Sequence, residues 1–152
     1  MMLKTDLQAL SKVVAEEVSR FSEQSGRQLH PEIEAGTFLV ANAGSLVTTI
    51  QDMSDTGPDG YRFLKLDCGM DGILRPSLYG AQHPMIFVHD SARSRDYVVI
   101  GHCCEAGNLL TPSPDDPENL EPRLLREAAI GDRLVIEGVG AYCAHMSWSC
   151  TA

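Results

Sequence analysis

The sequence predicts a mainly β domain, a barrel or a sandwich, with helical material at its N-terminal end. Two observations lead to this prediction. An apolar stripe with helical spacing fills the first part of the chain, and many short segments of strand-like composition follow it. The length of 152 residues suits one ordinary domain. It is too short for an enzyme barrel of about 250 residues with a second domain attached.

The opening helix is predicted from the spacing of its apolar residues. Six of them follow one another at intervals of three or four and so share one helix face, which Gly26 ends: Leu3, Leu7, Leu10, Val14, Val18 and Phe21. Such a face needs a packing partner, and without one we expect self-association. A dimerising coiled coil is an alternative, but the stripe is shorter than the three to four heptads usually required.

The strands are predicted from composition. Val, Leu, Ile, Thr and aromatic residues concentrate in segments 37–41, 45–53, 61–68, 85–89, 97–101 and 133–137. Residues 55–60 have the Gly, Pro and Asp content of a turn. Residues 111–123 are rich in proline and acids, which predicts an exposed loop, and one helical turn is predicted at 124–130.

Charge and composition exclude several classes of partner. The net charge of −9 disfavours nucleic acid and anionic membranes, so we expect a small-molecule or protein partner. No apolar run approaches the ~20 residues of a membrane helix. The N terminus lacks the features of a secretory signal, and five irregularly spaced cysteines suggest reduced thiols, so a cytoplasmic location is expected. The ending at Ala152, with no polar tail or helix cap, is interpreted as a cut.

Four glycine-containing clusters place polar groups beside strand ends. They are Glu34-Ala-Gly-Thr37, Asp67-Cys-Gly-Met70 with Arg75-Pro76 and Leu78-Tyr79, Cys104-Glu-Ala-Gly-Asn108, and Gly140-Ala-Tyr142. One alone would be weak evidence, but the four in this order resemble the C-terminal domain of the fold-type III decarboxylases that depend on pyridoxal phosphate. The resemblance runs from about His30 to the end of the chain.

The resemblance implies a fold, a cofactor and an assembly. Residues 37–152 would be a Greek-key β-barrel domain of the alanine racemase and decarboxylase C-terminal type, truncated at its end. Residues 1–36 would be the last helix and strand of a (β/α)8 barrel, with the strand at Glu32–Glu34. The intact enzyme would use pyridoxal 5'-phosphate, decarboxylate a diamino acid, diaminopimelate first among them, and form a homodimer with shared active sites.

The resemblance also implies roles for residues near the cofactor. Glu34 would face its pyridine nitrogen and keep that nitrogen protonated, and Tyr142 would hydrogen-bond or stack nearby. A lysine must hold this cofactor as a Schiff base. The lysines of this chain are Lys4, Lys12 and Lys65, and none lies in a family-like motif. The chain alone is therefore expected to be inactive.

Four further residues would act on the substrate by the same resemblance. Arg75 and Tyr79 would hold a substrate carboxylate, because a guanidinium fork and a phenol are suitable donors. Cys104 would be the acid that returns a proton to the substrate carbon. Glu105 would bind the distal ammonium group.

Three departures from the family motifs leave the substrate open. Ala35, Thr37 and Asn108 stand where the family has Pro, Arg and Asp. Losing the arginine removes a bidentate anion clamp, so the substrate could instead be ornithine, lysine or a carboxylated polyamine precursor. A non-enzymatic β-domain that binds a protein through residues 111–123 is the other alternative.

A metal site is a competing reading of the cysteines and histidines. His102, Cys103 and Cys104 are adjacent, and Cys143, His145 and Cys150 follow later. Adjacent ligands on a strand point in opposite directions, and the chain has no Cys-x-x-Cys pair. We therefore expect no metal site.

Overall fold

The computed structural model describes residues 5–146, so Leu3 of the predicted stripe lies outside the described residues. The chain divides into two compact units, Met1–Glu34 and Ala35–Ala152. The first unit contains helix α1 (Leu7–Ser25), and the second contains the β-domain. Among the described residues, no helix is both long enough and apolar enough to cross a bilayer.

Helix α1 confirms the predicted helix. The Asp6 carboxylate accepts hydrogen bonds from the N–H groups of Gln8 and Ala9, both at 3.0 Å, which caps the N terminus. Gly26 ends the helix in the left-handed region, with φ 68°, where glycine carries no steric cost. None of the residues of α1 is buried, and Leu7 and Leu10 of the stripe are half exposed.

Six strands of the second unit form one sheet. In chain order the helices and strands of this unit are α2 (Gly36–Val40), β1 (Ser45–Asp55), β2 (Arg62–Leu66), α3 (Arg75–Tyr79), β3 (Met85–Phe87), β4 (Ser94–Ile100), β5 (Pro112–Ser113), β6 (Asp116–Leu120), β7 (Arg123–Arg126) and β8 (Arg133–Glu137). The sheet order is β3-β8-β1-β2-β4-β7, and β5 pairs separately with β6. The edge strands β3 and β7 approach each other, so the sheet nearly closes. The predicted mainly β, barrel-like domain is confirmed.

Strand β1 links the two halves of this sheet. Its residues Ser45–Thr49 pair with β8, and Ile50–Asp55 pair with β2. The register shifts between Ile50 and Asp52, and such a bulge bends a strand and increases its twist. The bend lets one long strand pass from one neighbour to the other, as barrel closure requires.

The core fills the interior of the sheet with aliphatic side chains. Leu64, Leu66, Leu134 and Ile136 are fully buried, and Ile50 on the shared strand is 1% exposed. The polar or exposed positions alternate with them along β2 and β8, which is the period of a strand with one face covered. Each such side chain contributes about 1.5–3 kcal/mol on burial, so the core fixes strand register.

The predicted strand at 37–41 is wrong, because residues 36–40 form helix α2. The N–H of Leu39 donates to the carbonyl of Ala35 at 3.0 Å, as in a helical turn. Phe38 and Leu39 are exposed and have no sheet neighbour to pair with. A short apolar run carries no periodicity that separates a strand from a helix.

The predictions for residues 111–130 are also wrong. The expected loop contains the β5–β6 hairpin, and the expected helical turn at 124–130 overlaps strand β7, which pairs with β4. Proline is tolerated in this hairpin because a two-stranded sheet consists of edge strands. Thr111 and Pro112 are buried, so this segment is part of the packed domain.

Two shorter elements also differ from expectation. Residues 27–35 have no regular structure, so the predicted strand at Glu32–Glu34 is not formed in this chain. A strand needs a neighbour for its backbone groups, and the described chain provides none there. Helix α3, which the composition did not predict, begins at Arg75 with Pro76 in its first turn and ends at Gly80, with φ 61°.

Candidate functional site

Helix α3 carries Arg75 and Tyr79 on one face, because residues four apart are neighbours on a helix. Tyr79 is 57% exposed, and Arg75 is partly buried. The helix is fixed at its end, since a Cβ at Gly80 would lie 2.6 Å from the backbone nitrogen of Asp116. The two side chains therefore project from a short helix that is packed on the β5–β6 hairpin.

Tyr142 occupies a backbone conformation that is rare for a tyrosine. Its φ is 54°, a left-handed geometry that costs about 1–3 kcal/mol for a residue with a side chain. The adjacent Ala141 and Cys143 are buried, and this turns Tyr142 outward to 52% exposure. Burial raises the pKa of the Cys143 thiol, and the charge of Arg75 opposes that rise.

His83 is buried in the segment between α3 and β3. Its Nδ1 is 3.0 Å from the carbonyl oxygen of Glu137, and because a carbonyl only accepts, Nδ1 carries the proton and donates it. Its buried Nε2 has no hydrogen-bond partner among the described residues. Burial lowers the pKa of His83, and the charges of Arg75 and Arg123 act in the same direction. His83 is therefore a neutral imidazole.

Cys104 and Glu105 lie in the exposed loop that follows β4. This loop is tight, since the N–H of Glu105 donates to the carbonyl of Cys103 at 2.9 Å. The carbonyl of Glu105 accepts from the N–H of Asn108 at 3.1 Å. Both side chains consequently project from a well-defined turn into solvent.

Asn108 fastens this loop to the turn after β2. Its side chain is 4% exposed, its Oδ1 accepts from the N–H of Met70 at 2.9 Å, and its Nδ2 donates to the carbonyl of Cys103 at 3.2 Å. A carboxylate could accept but not donate. Asparagine at this position is thus explained by backbone contacts, and the replacement of the family's Asp says little about the substrate.

Two further groups organise the turn after β2. The Asp67 carboxylate accepts hydrogen bonds from the Thr48 hydroxyl and from the Thr49 N–H. Burial raises the pKa of Asp67, but these hydrogen bonds outweigh that effect and the pKa is lowered. Burial, together with the charges of Asp71 and Asp67, raises the pKa of the Cys68 thiol to about 11. Cys68 is therefore a protonated, unreactive thiol at neutral pH.

The predicted site residues lie on four segments. Arg75 and Tyr79 lie on α3, and Tyr142 lies on the turn at 140–143. Cys104 and Glu105 lie on the loop after β4. Glu34 is an exposed residue of the first unit, in a segment without regular structure.

The sequence analysis assigned no role to His83 or Asp71, and it noted Asn108 only as a departure from the family motif. His83 follows Arg75 and Tyr79 closely along the chain, directly before Pro84. The bonds of Asn108 and the surroundings of Asp71 depend on two loops that are about thirty to forty residues apart in sequence. No local pattern could have revealed these contacts.

Surface depressions give limited further information. One lies beside the loop after β4 and is lined by residues that include Phe63, Cys103, Glu105 and Asn108. A larger depression of the described surface lies between Asp55, Arg62 and Pro122, away from every predicted site residue. The first depression adjoins the thiol of Cys103 and the carboxylate of Glu105, which are reactive or charged side chains.

Comparison with known proteins places these features in a family context. A model of the C-terminal sheet domain of pyridoxal-dependent decarboxylases matches residues 13–140. The diaminopimelate decarboxylase of Escherichia coli strain K12 is 37% identical over 135 residues, which cover 82% of this chain and 31% of the relative.

Solved structures agree with this match. A crystal structure of diaminopimelate decarboxylase aligns with a TM-score of 0.82 and 29% identity, covering 97% of this chain and 35% of that one. The Helicobacter pylori diaminopimelate decarboxylase complexed with L-lysine aligns with a TM-score of 0.61 and 31% identity, covering 74% of this chain and 25% of that one. The chain thus spans about a third or less of the length of these relatives.

Proposed function

The chain belongs to the pyridoxal-dependent decarboxylases, through their C-terminal sheet domain, and from this premise we propose that the complete protein is a diaminopimelate decarboxylase. It would convert diaminopimelate to lysine and carbon dioxide. The observation that carries the proposal is the 37% identity to a diaminopimelate decarboxylase over 135 residues, which cover 82% of this chain.

Arg75 and Tyr79 are proposed to hold the substrate carboxylate. A guanidinium group binds a carboxylate through two parallel hydrogen bonds, and the phenol of Tyr79 adds a third donor on the same helix face. Tyr142 is half exposed on the turn at 140–143, and we propose that it contacts a bound cofactor. The strain at Tyr142 supports a functional reason for its position.

Cys104 is proposed as the proton donor and Glu105 as the group that binds the distal ammonium of the substrate. Both are exposed on a loop that Asn108 holds in place. An exposed catalytic pair is consistent with an active site completed by a second subunit, so we include a homodimer with shared sites in the proposal. A cytoplasmic location is also included, supported by cysteines that form no disulfide in the described part of the chain.

We propose that residues of this chain form one side of a pyridoxal phosphate site. When bound, pyridoxal phosphate accepts the electron pair left behind by the departing carbon dioxide. Tyr142 would contact it, and Glu34 of the first unit is proposed to hold a proton at its ring nitrogen. The described lysines are Lys12 on α1 and Lys65 on β2, and neither lies on the loops that carry the site residues. We propose that residues 1–36 end a (β/α)8 barrel that supplies the lysine.

A second candidate is a decarboxylase of ornithine, lysine or a carboxylated polyamine precursor. Thr37 favours it, because the family's arginine at that position is missing and with it one anion clamp. Asn108 no longer supports it, since its side chain is occupied by backbone groups. The interaction-module reading has less support, because the chain belongs to a family of decarboxylases.

Release of carbon dioxide by the complete protein distinguishes these candidates. We expect turnover of diaminopimelate in the presence of pyridoxal phosphate, and none of ornithine or lysine. Preference for ornithine, lysine or a carboxylated polyamine precursor would contradict the diaminopimelate assignment, and no release from any of the four would contradict the enzymatic one. Cys104→Ser should lower kcat by about 100-fold, as loss of a positioned proton donor does.

A further inference from the structure

Three potential metal ligands converge next to the loop after β4. Asp71 lies on the turn after β2, and His102 and Cys103 lie just past the end of β4. One donor atom from each lies within 4.8 Å of the others. The Nε2 atom of His102 is 3.6 Å from Oδ2 of Asp71, and the Sγ atom of Cys103 is 3.7 Å from Oδ1 of Asp71.

The expectation that His102 and Cys103 point apart is wrong. It assumed that both residues continue a strand, in which neighbouring side chains alternate. Strand β4 ends at Ile100, and residues 102–104 form a bend. The bend turns both side chains towards the same carboxylate.

We propose that Asp71, His102 and Cys103 form a zinc-binding site. In tetrahedral coordination, zinc bonds of about 2.0–2.3 Å separate the donors by roughly 3.3–3.8 Å. His102 Nε2 and Cys103 Sγ lie 3.6 and 3.7 Å from the two different oxygens of the Asp71 carboxylate, and one donor atom from each of the three residues lies within 4.8 Å of the others. A set of one oxygen, one nitrogen and one sulfur suits zinc, whereas magnesium and calcium select oxygen ligands. The fourth position remains for water.

The ligands are held by surrounding backbone contacts. The Oδ1 atom of Asp71 accepts a hydrogen bond from the N–H of Gly69 at 2.9 Å, which orients the carboxylate. Asn108 binds the carbonyl of Cys103 and the N–H of Met70, so it joins the two segments that supply the ligands. Such support from behind the ligands is typical of metal sites.

An ordinary ion pair explains only part of this geometry. Asp71 and His102 alone could form a surface pair, as His89 and Asp132 do at 3.1 Å elsewhere in the domain. Here the thiol of Cys103 also donates a hydrogen bond to the other oxygen of the same carboxylate, so three ligand groups meet at this place and not two. The side chains of His102 and Asp71 are 37% and 24% exposed, so an ion can enter from solvent.

Zinc at this position would connect two segments that are otherwise joined by hydrogen bonds. One is the turn at 68–72, and the other is the bend that leads directly into Cys104 and Glu105. The ion would restrict the movement of that loop. This consequence holds whichever reaction the complete protein catalyses.

Titration of the purified full-length protein with Zn²⁺, in competition with a chromophoric chelator, tests the site. We expect one ion per chain at this site. Cys103→Ser and His102→Gln should each weaken Zn²⁺ binding by about 100-fold or more. Even the mutation of a residue that only hydrogen-bonds to a metal ligand lowers metal affinity by about 10–100-fold. Cys104→Ser and His89→Gln are matched controls that remove a neighbouring thiol and an imidazole of the ordinary ion pair. They should bind Zn²⁺ as the unmodified protein does.

Equal binding by Cys103→Ser and the unmodified protein would overturn the proposal, as would absence of binding. A second measurement needs no variant. Zn²⁺ should protect Cys103 from alkylation by iodoacetamide, as read by peptide mass spectrometry, while Cys104 continues to react. Unchanged alkylation of Cys103, or equal protection of both thiols, would show that the ion binds elsewhere or not at all.

Discussion

A single buried amide, that of Asn108, positions two functional segments. It donates to one loop and accepts from the other, and both of its contacts are to backbone groups. Buried polar groups of this kind contribute little when satisfied and cost much when one partner is removed. The residue therefore sets the position of Cys104 and Glu105 without touching a substrate.

Asn108→Asp should destabilise the protein by about 1–3 kcal/mol, because the carbonyl of Cys103 loses its donor and a second carboxylate enters a buried position near Asp71. Urea unfolding of the purified protein measures the effect. Asn119→Asp is the control, since the exposed Asn119 bonds only the hydroxyl of Ser113 on the hairpin. Equal stability of the two variants would contradict the role given to Asn108.

His83 should make stability depend on pH in the mildly acidic range. Its pKa in the folded protein is below the ordinary value of 6.5, so the unfolded chain binds a proton that the folded chain resists. Stability should fall as the pH drops through 6.5 towards the folded pKa, and this contribution should level off below that pKa.

Thermal unfolding between about pH 7.5 and 5.5 measures this slope. His83→Gln should flatten it, because glutamine can still donate to the Glu137 carbonyl but does not titrate. The exposed His30→Gln is the control and should leave the slope unchanged. A slope that is the same in all three proteins would assign the pH dependence to other groups.

At the scale of elements, two loops meet because two glycines allow their backbones to touch. A Cβ at Gly101 would lie 2.3 Å from the Cα of Gly69, which is backbone and cannot rotate away. This contact brings the end of β4 against the turn after β2. The site residues of both segments depend on that approach.

Gly101→Ala should therefore destabilise the protein by about 1–3 kcal/mol, the usual cost of forcing extra volume into a packed region. Gly107→Ala in the same loop is the matched control, since its added Cβ meets nothing within 4 Å. Chemical denaturation compares the two. If Gly101→Ala were as stable as Gly107→Ala, the close approach would not matter energetically.

Elements in which apolar residues repeat regularly over many positions, or which end at a clear turn, were predictable from sequence. The stripe of α1 and its Gly26 end, and strands such as β8, follow from local patterns. Segment 37–41 was not predictable as a helix, because five residues are too few to show the helical repeat of apolar positions. The β5–β6 hairpin was missed because its prolines are unfavourable locally and become acceptable only when the strands lie at an edge. Parallel pairing of β2 with β4 is a long-range contact that no local signal encodes.

The candidate site was predictable to the extent that motifs carried it. Arg75, Tyr79, Cys104, Glu105, Glu34 and Tyr142 were named from resemblance, and their roles remain predictions. The structure adds that Tyr142 is held in a left-handed conformation by buried neighbours. The sequence could not show this, since it depends on how Ala141 and Cys143 pack.

At the scale of the whole molecule, this chain matches about a third of the relatives' length and contains no lysine in the described site loops. The chemistry of the proposed reaction needs a covalent anchor for pyridoxal phosphate. On the proposed function, the chain would supply groups to a site whose anchoring lysine lies outside the described residues.

The 152-residue chain by itself should show no decarboxylase turnover and no specific adduct with pyridoxal phosphate. Incubation with the cofactor, reduction with borohydride and mass spectrometry measure this. A denatured sample of the chain serves as the control and gives the extent of non-specific reaction at its lysines. A single stoichiometric adduct at Lys65, absent from the denatured sample, would show that the chain anchors the cofactor itself.

The exposed stripe on α1 should also cause self-association, which sedimentation can detect.

Strand β1 carries a consequence for how the domain opens. Its first half is hydrogen-bonded to β8 and its second half to β2, so one continuous strand belongs to both pairings. Separation of the strands on one side of the bulge therefore disturbs the pairing on the other side. Amide protons in the middle of β1, around Thr48 to Met53, should therefore exchange with deuterated solvent only through global unfolding, and later than those of the β5–β6 hairpin.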